Sequence, residues 1–287
     1  MPTRPTIQLL RIPFSVFLSP IYFFALSETR EINVIKAVLV FIILHLLIYP
    51  ASNGYNSYMD RDTGPIGGLE KPPPPSKQLY QVTIVLDLLG IALGFLVSPL
   101  FGLLMPLYIG ASKAYSYRGI RLKKYPVIGY LTVILVQGAF TFWLVWYGVS
   151  SNPPDAVPWK PMLACAFLIG GFYPLTQVYQ HSQDKADGVI TISYLLGYRG
   201  TFVFCAVMYA IAWSIMAQFF ISTGERNKLW IFSILLIPVI AWFFLWLSKV
   251  WSDPRQASFR NTMRMTWIAS ISTNIAFIIL LIQSYLD

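Results

Sequence analysis

Nine apolar stretches, joined by short polar connections, leave this chain few ways to fold. They run near 13–29, 34–56, 80–97, 99–116, 126–148, 161–182, 201–222, 229–249 and 266–286. At about 1.5 Å per helical residue, each crosses or nearly crosses a hydrocarbon layer about 30 Å thick. Inside such a layer every backbone N–H and C=O needs a partner within the protein, which admits only helices and closed barrels. Barrel strands alternate apolar and polar residues; these stretches do not, and several exceed twenty residues. The expectation is an all-α integral membrane protein. Only 11% of the residues are charged, too few to clothe a water-soluble surface of this size. Cys165 and Cys205 fall inside apolar stretches without CxxC spacing and read as reduced core residues.

Charge orients the spans. With a cytoplasmic N-terminus, sixteen of the 21 Lys and Arg fall on the cytoplasmic side, and Arg30, Lys36, Lys160, Arg226 and Lys228 are left for the other. That asymmetry fits the positive-inside rule, so the net charge of +9 follows from topology. Nucleic-acid binding needs a soluble basic surface, and there is none. The expected location is a cell or inner membrane, crossed many times.

One polar device occurs twice. The sixteen residues Tyr49 to Gly64 return in register at Tyr173 to Gly188, with Tyr, Pro, Tyr, Asp and Gly identical at Tyr49/Tyr173, Pro50/Pro174, Tyr55/Tyr179, Asp60/Asp184 and Gly64/Gly188. The copies end the second and sixth stretches. An offset of four spans runs them in the same direction, so both polar ends reach the same membrane face. Asn53, Asn56 and Asp60 are spaced i, i+3, i+7, as are Gln177, Gln180 and Asp184, and each triplet lies on one helix face. Polar groups on membrane helices need a partner or a wet cavity. Two such faces turned toward each other offer Asp60, Asp184, Asn56 and Gln180 as oxygen ligands of the kind Mg²⁺ accepts, with Asp62 and Asp187 just beyond. Capping or snorkelling is the competing explanation, strongest for Asp62 and Asp187. Pro50 and Pro174 predict kinks at equal depth.

Two basic connections border the same face. The segment TGPIGGLEKPPPPSKQL carries Lys71 before a four-proline run that favours a stiff polyproline stretch, and reads as a cap offering Lys71 to phosphate. KAYSYRGIRLKKYP supplies Arg118, Arg121, Lys123 and Lys124; arginine suits bidentate phosphate contact. Topology accounts for the same charges. His45 and His181 lack metal-ligand spacing to another His or Cys, which argues against zinc or haem.

Over essentially its full length, the chain resembles the UbiA superfamily of intramembrane prenyltransferases. Asn56-Ser-Tyr-Met-Asp60-Arg-Asp62-Thr-Gly64 is similar to the family's first motif, Asn-x3-Asp-x3-Asp. Gln180-His-Ser-Gln-Asp184 through Gly188 and Thr191 to Leu196-Gly197 is similar to its second, and YSYRGIRLKK to the stretch after its fourth helix. Two departures stand out: Gly64 replaces the third acid of motif one, and Gln180 the first acid of motif two. The resemblance implies a single domain over 1–287. It would be a nine-helix bundle with a parallel repeat of segments 1–4 and 5–8 plus a ninth helix. It also implies Mg²⁺-dependent transfer of an isoprenyl group from its diphosphate to an aromatic or lipid acceptor in the membrane. Asp60 and Asp184 would be the catalytic carboxylates, and Asn56, Asp60, Asp62, Gln180 and Asp184 the metal site. Asn53, Lys71, Arg118, Arg121, Lys123 and Arg11 would bind diphosphate, with Tyr55, Tyr58 and Tyr179 shielding a carbocation. Acceptor and tail length stay open, a quinone precursor among the candidates. Two rivals remain: a UbiA-like binding protein with an eroded metal site, and a secondary transporter. Transporter sites tend toward the midplane of inverted repeats, whereas both clusters here lie toward one face.

Overall fold

Helix starts are written into the sequence by small polar residues followed by apolar runs. In the computed structural model, which describes residues 2–153 and 156–286, Asn33, Ser98 and Thr191 each accept a backbone N–H three residues on, at 3.0, 3.1 and 3.2 Å. The rods that result are α1 (Arg4–Ser27), α2 (Val34–Asp60), α3 (Lys77–Val97), α4 (Pro99–Ser116), α5 (Pro126–Val149), α6 (Trp159–Ala186), α7 (Ile192–Ser222), α8 (Arg226–Leu235 and Ile237–Ser252, bent by 41°) and α9 (Phe259–Tyr285). Among the described residues no extended strand forms. Seven of these rods are long and apolar enough to cross a membrane, and the two halves of the bent α8 make up to an eighth when counted as one span. Their outer faces are aliphatic, with Ile35, Leu96 and Leu103 among the most exposed side chains. That is the surface of an integral, multi-pass membrane protein.

The two repeat copies take different backbone paths. Before Pro50, α2 widens into a π-helical segment, Ile42–Ile48; at Pro174, α6 tightens into a 3-10 segment, Tyr173–Gln180. Each proline removes a donor and crowds the turn before it, and a helix absorbs that by widening or tightening locally. The ends differ as well. Copy one stops at Asp60, with Arg61 left-handed at φ 55°, whereas copy two runs on to Ala186 and turns at Gly188, φ 67°. The expected pair of matched kinks is thus a matched pair of prolines with unmatched backbones.

α1 packs between α5 and α9, α3 and α4 lie against α2, and α6 is held between α5 and α7. α5 and α6 meet backbone on backbone: a Cβ at Gly138 in α5 would stand 2.7 Å from Ala166 Cα in α6. Away from the repeat ends, where α1 meets α8, Lys228 is 5% exposed and pairs with Glu225 and, at 3.7 Å, with Glu28. Burial raises the Glu28 carboxyl to about 7; Lys228 opposes that rise and Glu225 adds to it.

Two stability predictions follow from this packing. Gly138→Val is expected to lower stability by about 1–3 kcal/mol through overpacking, whereas Gly110→Ala, with open space at its Cβ, is not; thermal melts in detergent compare them. A carboxyl raised in the folded state contributes stability that is complete below its unfolded value near 4.5 and lost as pH rises through about 7. Melting temperature is therefore expected to fall across that window, and Glu28→Gln to flatten the fall.

Candidate active site

The repeat ends meet. Asn53, Asn56 and Asp60 from the end of α2, Asp62 just past it, and Gln177, Gln180 and Asp184 from α6 line one cavity of about 250 Å³. Arg11 of α1 and Lys123 of the α4–α5 connection complete its charged rim. A second cavity, about 430 Å³, adjoins it and shares Phe17, Leu18, Ile169 and Phe172 as walls. α1, α6, α7, α8 and α9 enclose it, almost wholly with apolar side chains.

Asp60 ends its helix with a side chain only 3% exposed, so its charge has to be met within the protein. Lys123 Nζ lies 2.5 Å from Oδ2, and Arg121 Nη2 is 3.7 Å from Oδ1, which has no hydrogen-bond partner. Arg121 also pairs with Asp187 at the end of α6, and so ties both copies together. Arg118 donates from Nε to Met59 O (2.7 Å) and from Nη2 to Asp60 O (3.3 Å), a cationic cap on carbonyls at the C-terminus of α2. Neither Arg118 nor Arg121 lines the cavity; the structure gives both to the helix ends rather than to an open anion site.

The neutral members are equally committed. Asn56 Nδ2 donates to Ser116 Oγ (2.8 Å), so what it can offer a cation is Oδ1. Gln180 Nε2 donates to Pro65 O at 3.3 Å and Arg11 donates to Gly67 O and Asn53 O, at 3.2 and 3.3 Å; together they pin the connection after α2 over the mouth. Asp62 lies in that connection. Burial raises its carboxyl to about 6, Asp60 adds to the rise, and Lys123 and Arg11 oppose it. Gln183 Nε2 donates to Asp62 Oδ1 at 2.5 Å.

Some expectations need correcting. Lys71 is exposed and lines no part of the cavity: a tight turn between Ile66 and Leu69 packs its glycines on Phe14, and the prolines then lead away to α3. Tyr55 lies under Lys113 at 4.1 Å and Tyr58 pairs with Tyr80 at 5.2 Å, both off the cavity wall, whereas Tyr179 lines it. Tyr115, Tyr173 and Gln177 on the wall fall in segments the sequence had singled out, whereas Ser112 had no signal beyond polarity in an apolar run. Tyr115 and Tyr173 share a short hydrogen bond, Gln177 Nε2 donates to Tyr173 Oη at 2.7 Å, and Ser52 and Ser112 hydroxyls meet at 2.6 Å. Gln183 was also missed: a Cβ at Gly64 would lie 2.6 Å from its Oε1, the end of a flexible side chain that would have to shift to admit a larger residue.

Among the described residues no three His, Cys, Asp or Glu side chains close on one metal position. No protein of curated function matches the sequence. Among solved structures, a UbiA homolog from Archaeoglobus fulgidus bound to DMAPP and Mg²⁺ superposes with a TM-score of 0.70 at 22% identity, over 96% of this chain and 98% of that one. An apo UbiA homolog from Aeropyrum pernix K1 gives 0.70 at 16% identity over 94% and 98%. A digeranylgeranylglyceryl phosphate synthase gives 0.61 at 17% over 98% of both chains. The family model for UbiA prenyltransferases matches residues 16–271. With that match over most of its length, this chain belongs to the UbiA prenyltransferase family.

Proposed function

We propose that this protein transfers an isoprenyl group from its diphosphate to an acceptor within the bilayer. One observation carries the reading: Asp60 and Asp184, one carboxylate from each repeat copy, stand with Arg11 and Lys123 at the mouth of a cavity that adjoins an apolar one. Such a site takes an amphipathic substrate with a strongly anionic head and an apolar tail. The chain acts as one domain over 1–287, with Pro99–Ser116 as a ninth span, a parallel repeat, and N-terminus and mouth on the cytoplasmic side that the basic residues favour.

The Archaeoglobus relatives hold Mg²⁺ with DMAPP or GPP, and the residues here suit that ion. Asp60 Oδ1 is buried without a hydrogen-bond partner. Mg²⁺ fills much of its shell with waters and phosphate oxygens, so few protein oxygens suffice. Asn56, Asp60, Asp62, Gln180 and Asp184 would hold it. When bound, it neutralises charge developing on the departing diphosphate.

The chain's own part follows from its contacts. Lys123 serves as the counter-ion of Asp60 and, with Arg11, is the cation facing the cavity, so both meet the diphosphate oxygens. Arg121 and Arg118 are positioning residues that hold the ends of α2 and α6. The C1–O bond breaks with its electron pair leaving on diphosphate, an acceptor atom bonds to C1, and the acceptor gives up a proton. The apolar walls keep water from that carbon.

Asp60→Asn or Asp184→Asn is expected to lower Mg²⁺-dependent pyrophosphate release from geranyl diphosphate by roughly 10²-fold or more; full activity in both variants overturns the assignment. Gln180→Asp adds a carboxylate and is expected to shift half-activation to lower Mg²⁺ concentration. An unchanged titration would mean that Gln180 lies outside the ligand set.

A further inference from the structure

Positive charge on the mouth face is not confined to the cavity. On the outer side of the bundle, Lys249 of α8 and Arg260 and Arg264 of α9 are exposed, and the ion pairs among the described residues include none of them. Phe259, at the start of α9, meets Tyr179 of the cavity wall edge to face at 5.3 Å, which sets this hairpin at the level of the mouth. Lys249 and Arg264 converge on one indole: Nζ lies 5.4 Å and the guanidinium carbon 5.7 Å from the ring centre of Trp242. The ring attracts each cation, but the two cations repel each other. Trp242 Nε1 has no hydrogen-bond partner either. Three donors thus gather at one point, and among the described residues no acceptor is bonded to any of them.

The direction of Lys249 says what kind of anion is missing. The residue stands three positions before the end of α8, yet its ammonium reaches a ring seven positions earlier, about 10 Å back into the span. Snorkelling alone would carry it the other way, toward water. A cation turned inward on a lipid-facing surface needs a counter-ion there, and outside the bundle the anions at that boundary are lipid phosphates. A groove of about 500 Å³ runs beside it along α9. Arg260 and Arg264, one turn apart, edge that groove, and Phe259, Met263 and Trp267 give it an apolar lining. Glu70, from the connection after α2, is the one acid on its wall and pairs with neither arginine. Arg264 belongs both to the groove and to the Trp242 cluster. Cations at the rim of an outward-facing apolar groove match the phosphate and the acyl chain of one phospholipid.

We infer that the face between the end of α8 and the start of α9 binds an anionic phospholipid of the leaflet on the mouth side. Lys249, Arg260 and Arg264 hold its phosphate, and an acyl chain lies along Met263 and Trp267. A zwitterionic lipid carries its own cation beside the phosphate and binds less tightly. None of these residues lines either cavity, so the lipid site is separate from the mouth. α8 and α9 both wall the second cavity, and a phosphate shared by Lys249 and Arg264 fastens those two helices together.

Native mass spectrometry of the purified full chain in detergent tests this by titration with palmitoyl-oleoyl phosphatidylglycerol or the matching phosphatidylcholine. Wild type is expected to bind phosphatidylglycerol at least about tenfold more tightly. Lys249→Gln and Arg264→Gln are each expected to weaken it about fivefold, the effect of one cation near a headgroup. Arg255→Gln removes a cation already paired with Asp253 at 3.0 Å and is expected to change nothing. Trp242→Leu alters no charge and is expected to weaken phosphatidylglycerol by about threefold or more, which general attraction to a basic surface would not do. Thermal melts check that each variant is folded, and phosphatidylglycerol is expected to raise the melting temperature of wild type more than that of the Lys249→Gln, Arg264→Gln double variant. Equal binding of the two lipids by wild type, or a loss in Arg255→Gln as large as in Arg264→Gln, overturns the inference. Displacement of phosphatidylglycerol by equimolar inorganic phosphate or geranyl diphosphate overturns it too, since the cations would then serve a soluble anion or the substrate.

Discussion

A carboxylate at the end of a membrane helix, 3% exposed, has to be neutralised by something the fold brings to it, and much of the mouth is the answer to Asp60. Lys123 and Arg121 come from the connection after α4, which turns left-handed at Arg121, φ 52°, to present them. Arg121 then reaches Asp187 and Arg118 caps carbonyls of α2, so one short basic segment bridges helices more than a hundred residues apart. Breaking one side of such a pair leaves a buried charge, which costs more than the pair itself contributes. The same residues are therefore held in place by their own pairings, and the mouth presents an arranged set of charges.

The repeat shows how equal sequence does unequal work. Pro50 and Pro174 are identical in register, yet one follows a widened turn and the other begins a tightened one. α2 ends at its carboxylate, while α6 carries Asp184 within its last turns. One copy thus supplies a carboxylate fixed by cations, and the other a carboxylate on a helix wall beside Gln180 and Gln177. The two acids missing from the family pattern belong to this division: Gln183 fills the space beside Gly64, and Gln180 holds the connection after α2. Amides make the structural contacts at both places.

Much of this was legible in the chain. Apolar stretch lengths dictated helices, and the i, i+3, i+7 spacing put Asn53, Asn56 and Asp60 on one face and Gln177, Gln180 and Asp184 on another. Arg11 was named on resemblance and Lys123 on charge, and both line the cavity. Arg118 and Arg121 looked like phosphate ligands because arginine favours phosphate, but the nearest acceptors to each are helix-end carbonyls and Asp187. Lys71 lies off the cavity wall because a glycine turn and a proline run carry it away, and neither leaves a pattern that relates the loop to the mouth. Gln183 and Ser112 look like ordinary polar residues until α2, α4 and α6 are brought together.

What the sequence alone determined is the part that depends on periodicity and solvent: membrane helices, a doubled polar end, and one carboxylate in each copy. Those follow from local geometry and the cost of bare backbone in lipid. The tertiary structure decided which charges pair and which face the cavity, since both turn on distances of a few ångströms between residues far apart in the chain. It also decided that the larger cavity has no charge on its wall, because a wall is assembled from five helices and belongs to none of them.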